Sequence, residues 1–258
     1  MPPLSNESTA VTSSSTVAVL LPSRSIGRHA LITSLPSASA LHAVCEQISG
    51  NNKVILETST LPIEDKTKAR DTLKRKGITL LDCPLSGTGA QARVKDLVVF
   101  GSGDRKSFSL VSPVLPDFSR SHYYLGAFGN GSRMKFVANL LVAIHNVSTA
   151  EAFVLGMKSG LPAKTIFEVI ENSAGTSRMF QVRGPQMVAG RYDGPGIALQ
   201  LFQKDMKIIG EFAAQIGAPT PLFNASAAIY NAAMAQGHAK DDTAAVCAVL
   251  ESMARLRR

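Results

Sequence analysis

Lys135, Asn139 and Asn146 are polar interruptions in an otherwise apolar stretch, Gly129 to Lys158 (GNGSRMKFVANLLVAIHNVSTAEAFVLGMK). At about 100° per residue on a helix, the three lie within about 40° of one another. Val142 falls on the same side, so the polar stripe is narrow and broken. A lysine withdrawn from water loses part of its preference for the charged form. Beside a neutral amide it could give a proton to a developing alkoxide, or take one from an alcohol. Spacing alone favours a plainer alternative, in which Lys135 reaches solvent from the helix start and Asn139 bonds a neighbouring loop.

The element that must position these residues reads as one long helix. The stretch holds no proline, opens with a Gly-Asn-Gly-Ser turn, and would run roughly 40 Å if helical throughout. Its apolar residues occupy nearly every face, the pattern of a buried helix. Lys135, Asn139, His145, Asn146 and Glu151 interrupt the run of ~18 apolar residues that a membrane span requires, so no membrane partner is expected.

The 258 residues suffice for one large domain or two smaller ones, and 45% hydrophobic with 18% charged residues is ordinary globular composition. Part of the net charge of +8 comes from one cluster: Lys66, Lys68, Arg70, Lys74, Arg75 and Lys76. Glu64, Asp65 and Asp71 interleave with it and aromatics do not, which predicts a solvated helix face and no nucleic-acid partner. Cys45, Cys83 and Cys247 are widely spaced with no Cys-x-x-Cys, which fits a reducing, cytoplasmic setting without disulfides. No histidine pair has ligand spacing, and no metal is expected.

Along the chain, residues 1–28 form a Ser/Thr-rich leader, expected to be largely disordered, with TVAVLL (16–21) a possible short strand. The leader's Ser-rich, acid-poor composition is shared by organelle transit peptides, but Arg24 and Arg28 are its only basic residues. Residues 29–128 then alternate short apolar runs (ALITSL, VILETST, ITLLDCP) with helical segments, the signature of a parallel sheet. The loops after such strands are where ligands bind: Leu35-Pro36-Ser37, Thr58-Ser59-Thr60 and Pro84 to Gly89. Residues 129–258 are predicted to be predominantly helical, with helices at 163–173, 177–189, 198–217, 221–236 and from Ala244 to about Leu256.

Six phrases in order (ALITSLPS, ETSTLP, DCPLSGTGA, GNGSRMKFVAN, EAFVLGMKSGL and QKDMKIIGEFAAQIGAPTPL) resemble the β-hydroxyacid dehydrogenase family, which includes 3-hydroxyisobutyrate and 6-phosphogluconate dehydrogenases. The resemblance covers residues from about 29 to 250. It implies α/β plus all-α architecture: a Rossmann-like parallel-sheet domain binding NAD or NADP, a long interdomain helix, and a helical domain that binds substrate. It further implies a small anionic 3-hydroxy acid as substrate. The long, apolar, Ala-rich helices of the second half, such as 221–236, and a sheet edge left free by the missing strands predict a homodimer or larger homo-oligomer through the helical domain. By the same resemblance Lys135 matches the catalytic lysine, and Asn139 the substrate-binding asparagine. Ser86, Gly87 and Thr88 match the segment that holds the substrate carboxylate, while Leu35, Pro36, Thr60 and Lys204 match cofactor-side positions.

The sequence also departs from the family. Thr88 replaces a second glycine, and Leu140 an asparagine that many members carry. Nothing in residues 1–28 reads G-x-G-x-x-G, the turn whose helix N-terminus cradles the cofactor pyrophosphate, so the Rossmann-like domain is expected to be truncated and its cofactor binding weakened. The alternative function is a shortened homologue, a pseudoenzyme or the product of a misassigned start, that acts as a dimeric structural or interaction protein.

Overall fold

The computed structural model describes residues 11–13, 16–21, 30–193 and 196–256. The chain divides into two compact units, residues 1–135 and 136–258. That division falls inside the long helix, between Lys135 and Phe136.

The first unit opens with strands β1 (Val11–Ser13) and β2 (Thr16–Leu21). The rest of the leader, for which disorder is expected, lies outside the described residues, but Val11–Ser13 is a strand rather than disordered chain. Then come β3 (Ala30–Ser34), α1 (Ala38–Gln47), β4 (Val54–Glu57), α2 (Ile63–Arg75) and β5 (Thr79–Asp82). These five strands form one sheet in the order β1-β2-β3-β4-β5.

The pairs β3–β4 and β4–β5 are parallel, each joined by a helix, as the alternation of apolar runs and helical segments predicts. The sheet is not parallel throughout. β2 runs antiparallel to β3, with Val17 opposite Ser34, and β1 runs antiparallel to β2. A short connection such as 14–15 can join antiparallel strands but cannot make a parallel crossover, which needs a dozen residues or more.

All four residues of β4 are buried, because the sheet is covered on both faces. One face packs Val54, Leu56, Leu81, Val99, Phe108 and Leu115 together. The other packs Ile55 and Leu80 against Leu41, Ala69 and Leu73 of the helices.

A second, three-stranded sheet follows: β6 (Leu85–Ser86), the short helix α3 (Gly89–Arg93), β7 (Leu97–Gly101), α4 (Arg105–Val111), a 3-10 turn over Ser112–Asp117, and β8 (Ser119–Tyr124). β6 is antiparallel and β8 parallel to β7. An isolated bridge between Asp82 and Ser102 joins the end of β5 to the residue after β7.

The long helix α5 spans Asn130–Lys158. By length and composition it is apolar enough to cross a membrane, despite its polar interruptions, so those interruptions do not decide the question. It buries Phe136, Ala143, Val147, Ala150 and Phe153, and a core helix passes the same test.

The second unit continues with α6 (Ala163–Ile170), α7 (Arg178–Ala189), α8 (Leu199–Gln215), α9 (Pro221–Ala235) and α10 (Val246–Met253). Aromatic pairs fill its core: Phe180 stacks at 5.4 Å on Phe153 and 5.7 Å on Phe167, and Phe136 meets Phe212 edge-on at 5.1 Å. Ser177 caps α7 by accepting from the Phe180 amide, and Gly190, at φ 62°, ends it.

Candidate active site

Lys135 lies in the second turn of α5 and is buried, at 8% exposure, which excludes the alternative of a lysine reaching freely into solvent. Asn139, one turn further along α5, is also buried. Its Nδ2 donates to Asp205 Oδ2 at 2.8 Å. Asp205 in turn pairs with Lys204 Nζ at 3.3 Å, so the QKDM phrase of α8 is tied to α5. The third stripe residue, Asn146, is fully buried and donates to the Tyr230 hydroxyl at 3.0 Å, a core contact of the helical unit.

In the first unit the loops at the carboxyl ends of β3 and β4 are tied together. The Leu35 amide donates to Ser59 Oγ at 2.6 Å, and the Ser59 amide to Glu57 Oε1 at 3.0 Å. Leu35 is buried and Pro36 exposed, with Thr60 half-buried. Ser86 closes β6, opposite Val98, and Thr88 stands at the start of α3, its amide donating to Gln91 Oε1 at 3.0 Å. Gly87 must be glycine: its φ is +130°, and a Cβ there would lie 2.6 Å from Leu97.

The sequence reading misses a buried polar network beneath these loops. Lys66, assigned to a solvated helix face, is 0% exposed. Its Nζ lies 2.6 Å from Glu57 Oε2 and 2.9 Å from Asp82 Oδ1. Burial alone would lower its pKa, but the Asp82 and Glu57 carboxylates outweigh that and hold the ammonium above the usual lysine range. A signal was available: Lys66 shares a helical face with Ala69 and Leu73, the other buried residues of α2.

Asp82 reaches further. It accepts from the Ser132 amide and the Ser132 hydroxyl, each at 2.8 Å, and from the Ser102 hydroxyl at 3.2 Å. Ser102 Oγ itself accepts from the Gly131 amide at 3.0 Å. The first turn of α5 therefore finds partners for amides that have none within the helix. A Cβ on Gly131 would collide with the Phe100 carbonyl and lie 2.7 Å from that of Asp82, so glycine lets the helix start seat directly on the strand ends. Among the described residues no group of acids, histidines and cysteines could hold a metal ion.

Comparison with known proteins agrees with this architecture. Residues 5–126 match the family model for the NAD binding domain of 6-phosphogluconate dehydrogenase, and residues 129–250 that for NAD-binding of NADP-dependent 3-hydroxyisobutyrate dehydrogenase. L-threonate dehydrogenase of Cupriavidus necator is 32% identical over 195 residues, 75% of this chain. The chain spans 65% of that protein's length, just under two thirds. 2-(Hydroxymethyl)glutarate dehydrogenase of Eubacterium barkeri is 29% identical over 86% of this chain and 76% of its own. The crystal structure of 3-hydroxyisobutyrate dehydrogenase from Salmonella typhimurium superposes with a TM-score of 0.78 at 26% identity, covering 85% of this chain and 79% of that one.

Parallel β3–β4–β5 with helical crossovers form the kind of sheet that binds dinucleotides at its strand ends, here followed by a long helix and a helical unit. The chain belongs to the β-hydroxyacid dehydrogenase family. These relatives are named as dehydrogenases and lend no support to the pseudoenzyme alternative.

Proposed function

We propose that the chain is an NAD(P)-dependent oxidoreductase that interconverts a small 3-hydroxy acid and its oxo acid, with Lys135 as general acid and base. The observation that carries this reading is a buried lysine in the second turn of α5, with Asn139 one turn on and held by Asp205. Relatives named for L-threonate, 2-(hydroxymethyl)glutarate and 3-hydroxyisobutyrate support the substrate class.

The residues present fit a nicotinamide cofactor at the strand ends. Leu35, Pro36 and Thr60 follow adjacent parallel strands, on loops joined through Ser59, where doubly wound sheets take dinucleotides. The chemistry that such a group supplies is acceptance or return of a hydride. In oxidation Lys135, neutral, takes the proton of the substrate hydroxyl; in reduction it returns that proton to the oxygen. Asn139 orients the substrate, and Ser86 with the backbone of Gly87 and Thr88 receives its carboxylate. Lys204 serves the cofactor side.

The helical unit also supports a homo-oligomer. Val137, Leu141 and Leu155 are exposed on one face of α5, and Leu222 on α9 is exposed as well. The test of the activity is a panel of 3-hydroxy acids with NAD and NADP, followed by nicotinamide absorbance. Turnover of at least one acid supports the reading; none with either cofactor, in a chain that demonstrably binds one, overturns it.

A further inference from the structure

Lys66 stands where two chains of hydrogen bonds meet, and each chain ends at a different part of the proposed site. One runs from Glu57 through the Ser59 amide, and from the Ser59 hydroxyl to the Leu35 amide. The other runs from Asp82 to the amide and hydroxyl of Ser132 and, through Ser102, to the Gly131 amide. Ser132 is three residues before Lys135, so the turn that Asp82 holds is the turn on which Lys135 is built.

The charges explain why a cation is needed at the junction. Glu57, Asp82 and Lys66 are all 0% exposed, leaving one buried negative charge after pairing. The amides at the start of α5 face that charge and favour it there. Without the ammonium, two carboxylates would face each other in a dry site with no counter-charge, and their repulsion would pull Asp82 away from its bonds to Ser132.

We propose that Lys66 is a positioning residue. By holding the Asp82 carboxylate aimed at Ser132 it fixes the first turn of α5 beneath Lys135, and through Glu57 it fixes the cofactor-side loop at Leu35. The inference rests on the reading of Lys135 as the acid–base group, since a displaced first turn matters to catalysis only if Lys135 acts there. Small misplacements of a reacting group are costly, of the order of 10²-fold for about 1 Å.

The test compares wild type with Lys66→Met and with Ser132→Ala, the second a milder change that keeps the network's charges if the first fails to fold. Amide hydrogen exchange is read by mass spectrometry on the full chain, without cofactor or substrate. Peptides covering 129–137 should exchange at least ~10-fold faster in both variants, with those from α8 and α9 unchanged. In Lys66→Met the peptide around Leu35 should loosen too.

In turnover, Lys66→Met should lower kcat at least ~10-fold while KM for the hydroxy acid stays within about threefold. Uniformly faster exchange with an unchanged kcat per folded molecule would mean that Lys66 only stabilises the unit, and would overturn the proposal. Unchanged exchange at the start of α5 in both variants would overturn it whatever the activity. If exchange responds as expected but Lys135→Ala leaves activity intact, the acid–base reading fails while the placement of the first turn by Lys66 stands.

Discussion

The Asn139 side chain donates from Nδ2 to Asp205 Oδ2 at 2.8 Å, across 66 residues of sequence. That bond fixes which end of the amide is the donor toward α8 and holds the side chain in one orientation. It also makes Asp205, a neighbour of the proposed cofactor-side Lys204, a partner of the substrate-side asparagine. Replacing Asp205 by Asn removes the charge that strengthens the bond and lets the Asn139 amide turn over. A hydrogen bond to a charged group contributes roughly 1.5–3 kcal/mol, so kcat/KM should fall roughly 10- to 100-fold in Asp205→Asn. Steady-state kinetics that match wild type would remove Asp205 from the site.

Lys135→Ala should cost at least ~10²-fold in kcat, the usual contribution of a general acid–base group, with circular dichroism unchanged. Lys135→Arg should fail to restore activity, because a guanidinium does not give up its proton near neutrality. Wild-type kcat in either variant would make Lys135 a structural lysine.

No G-x-G-x-x-G occurs in the 258 residues, so a dinucleotide lacks that source of backbone donors for its pyrophosphate. Losing two charge-assisted bonds at roughly 1.5–3 kcal/mol each weakens binding by about two to four orders of magnitude. Calorimetry on this chain should therefore give a dissociation constant well above the low micromolar range for NAD and NADP. A low micromolar value would show that other residues supply the donors.

Assembly through the helical unit should be visible in sedimentation as a dimer or larger species at roughly tens of micromolar. A charge placed on the exposed face of α5 by Leu155→Glu, at a position 74% exposed and so cheap for the isolated fold, should shift the population toward monomer. A wild-type chain that is monomeric throughout would leave these exposed apolar residues without this explanation.

Alkaline pH should destabilise the fold through buried groups. Burial, with the Glu57 carboxylate second, pushes the Cys45 thiol from 9.0 up to about 11. The unfolded chain loses this proton first, so Cys45 lowers stability by about 1.4 kcal/mol per unit as pH rises from about 9 toward 11, and the Cys83 thiol, also pushed up by burial, adds to the fall. Lys66 acts in the same direction: its raised pKa gives stability that is complete below about 10.4, the unfolded value, and is lost above it. Urea midpoints at about pH 8 and about pH 10.5 measure the fall, and Cys45→Ala should flatten its lower part. A wild-type midpoint constant over that span contradicts the assignment.

The sequence by itself determined the local elements. Apolar runs of strand length, helical spacing and Gly or Pro punctuation placed β3 to β5 and α5 to α9 within a few residues, because those signals act between near neighbours. It also marked Lys135 and Asn139, since a polar stripe on an apolar helix is visible from spacing alone. Tertiary structure decided what meets through space. It set β2 antiparallel beside β3, a choice that depends on how the chain closes rather than on residue type. It also took Lys66 out of a cluster of like charges and buried it, because an ammonium between two strand-end carboxylates is stable only where folding has already brought them together. Asp82 and Ser132 are 50 residues apart, and no local pattern in either segment encodes the bond that seats the helix carrying Lys135.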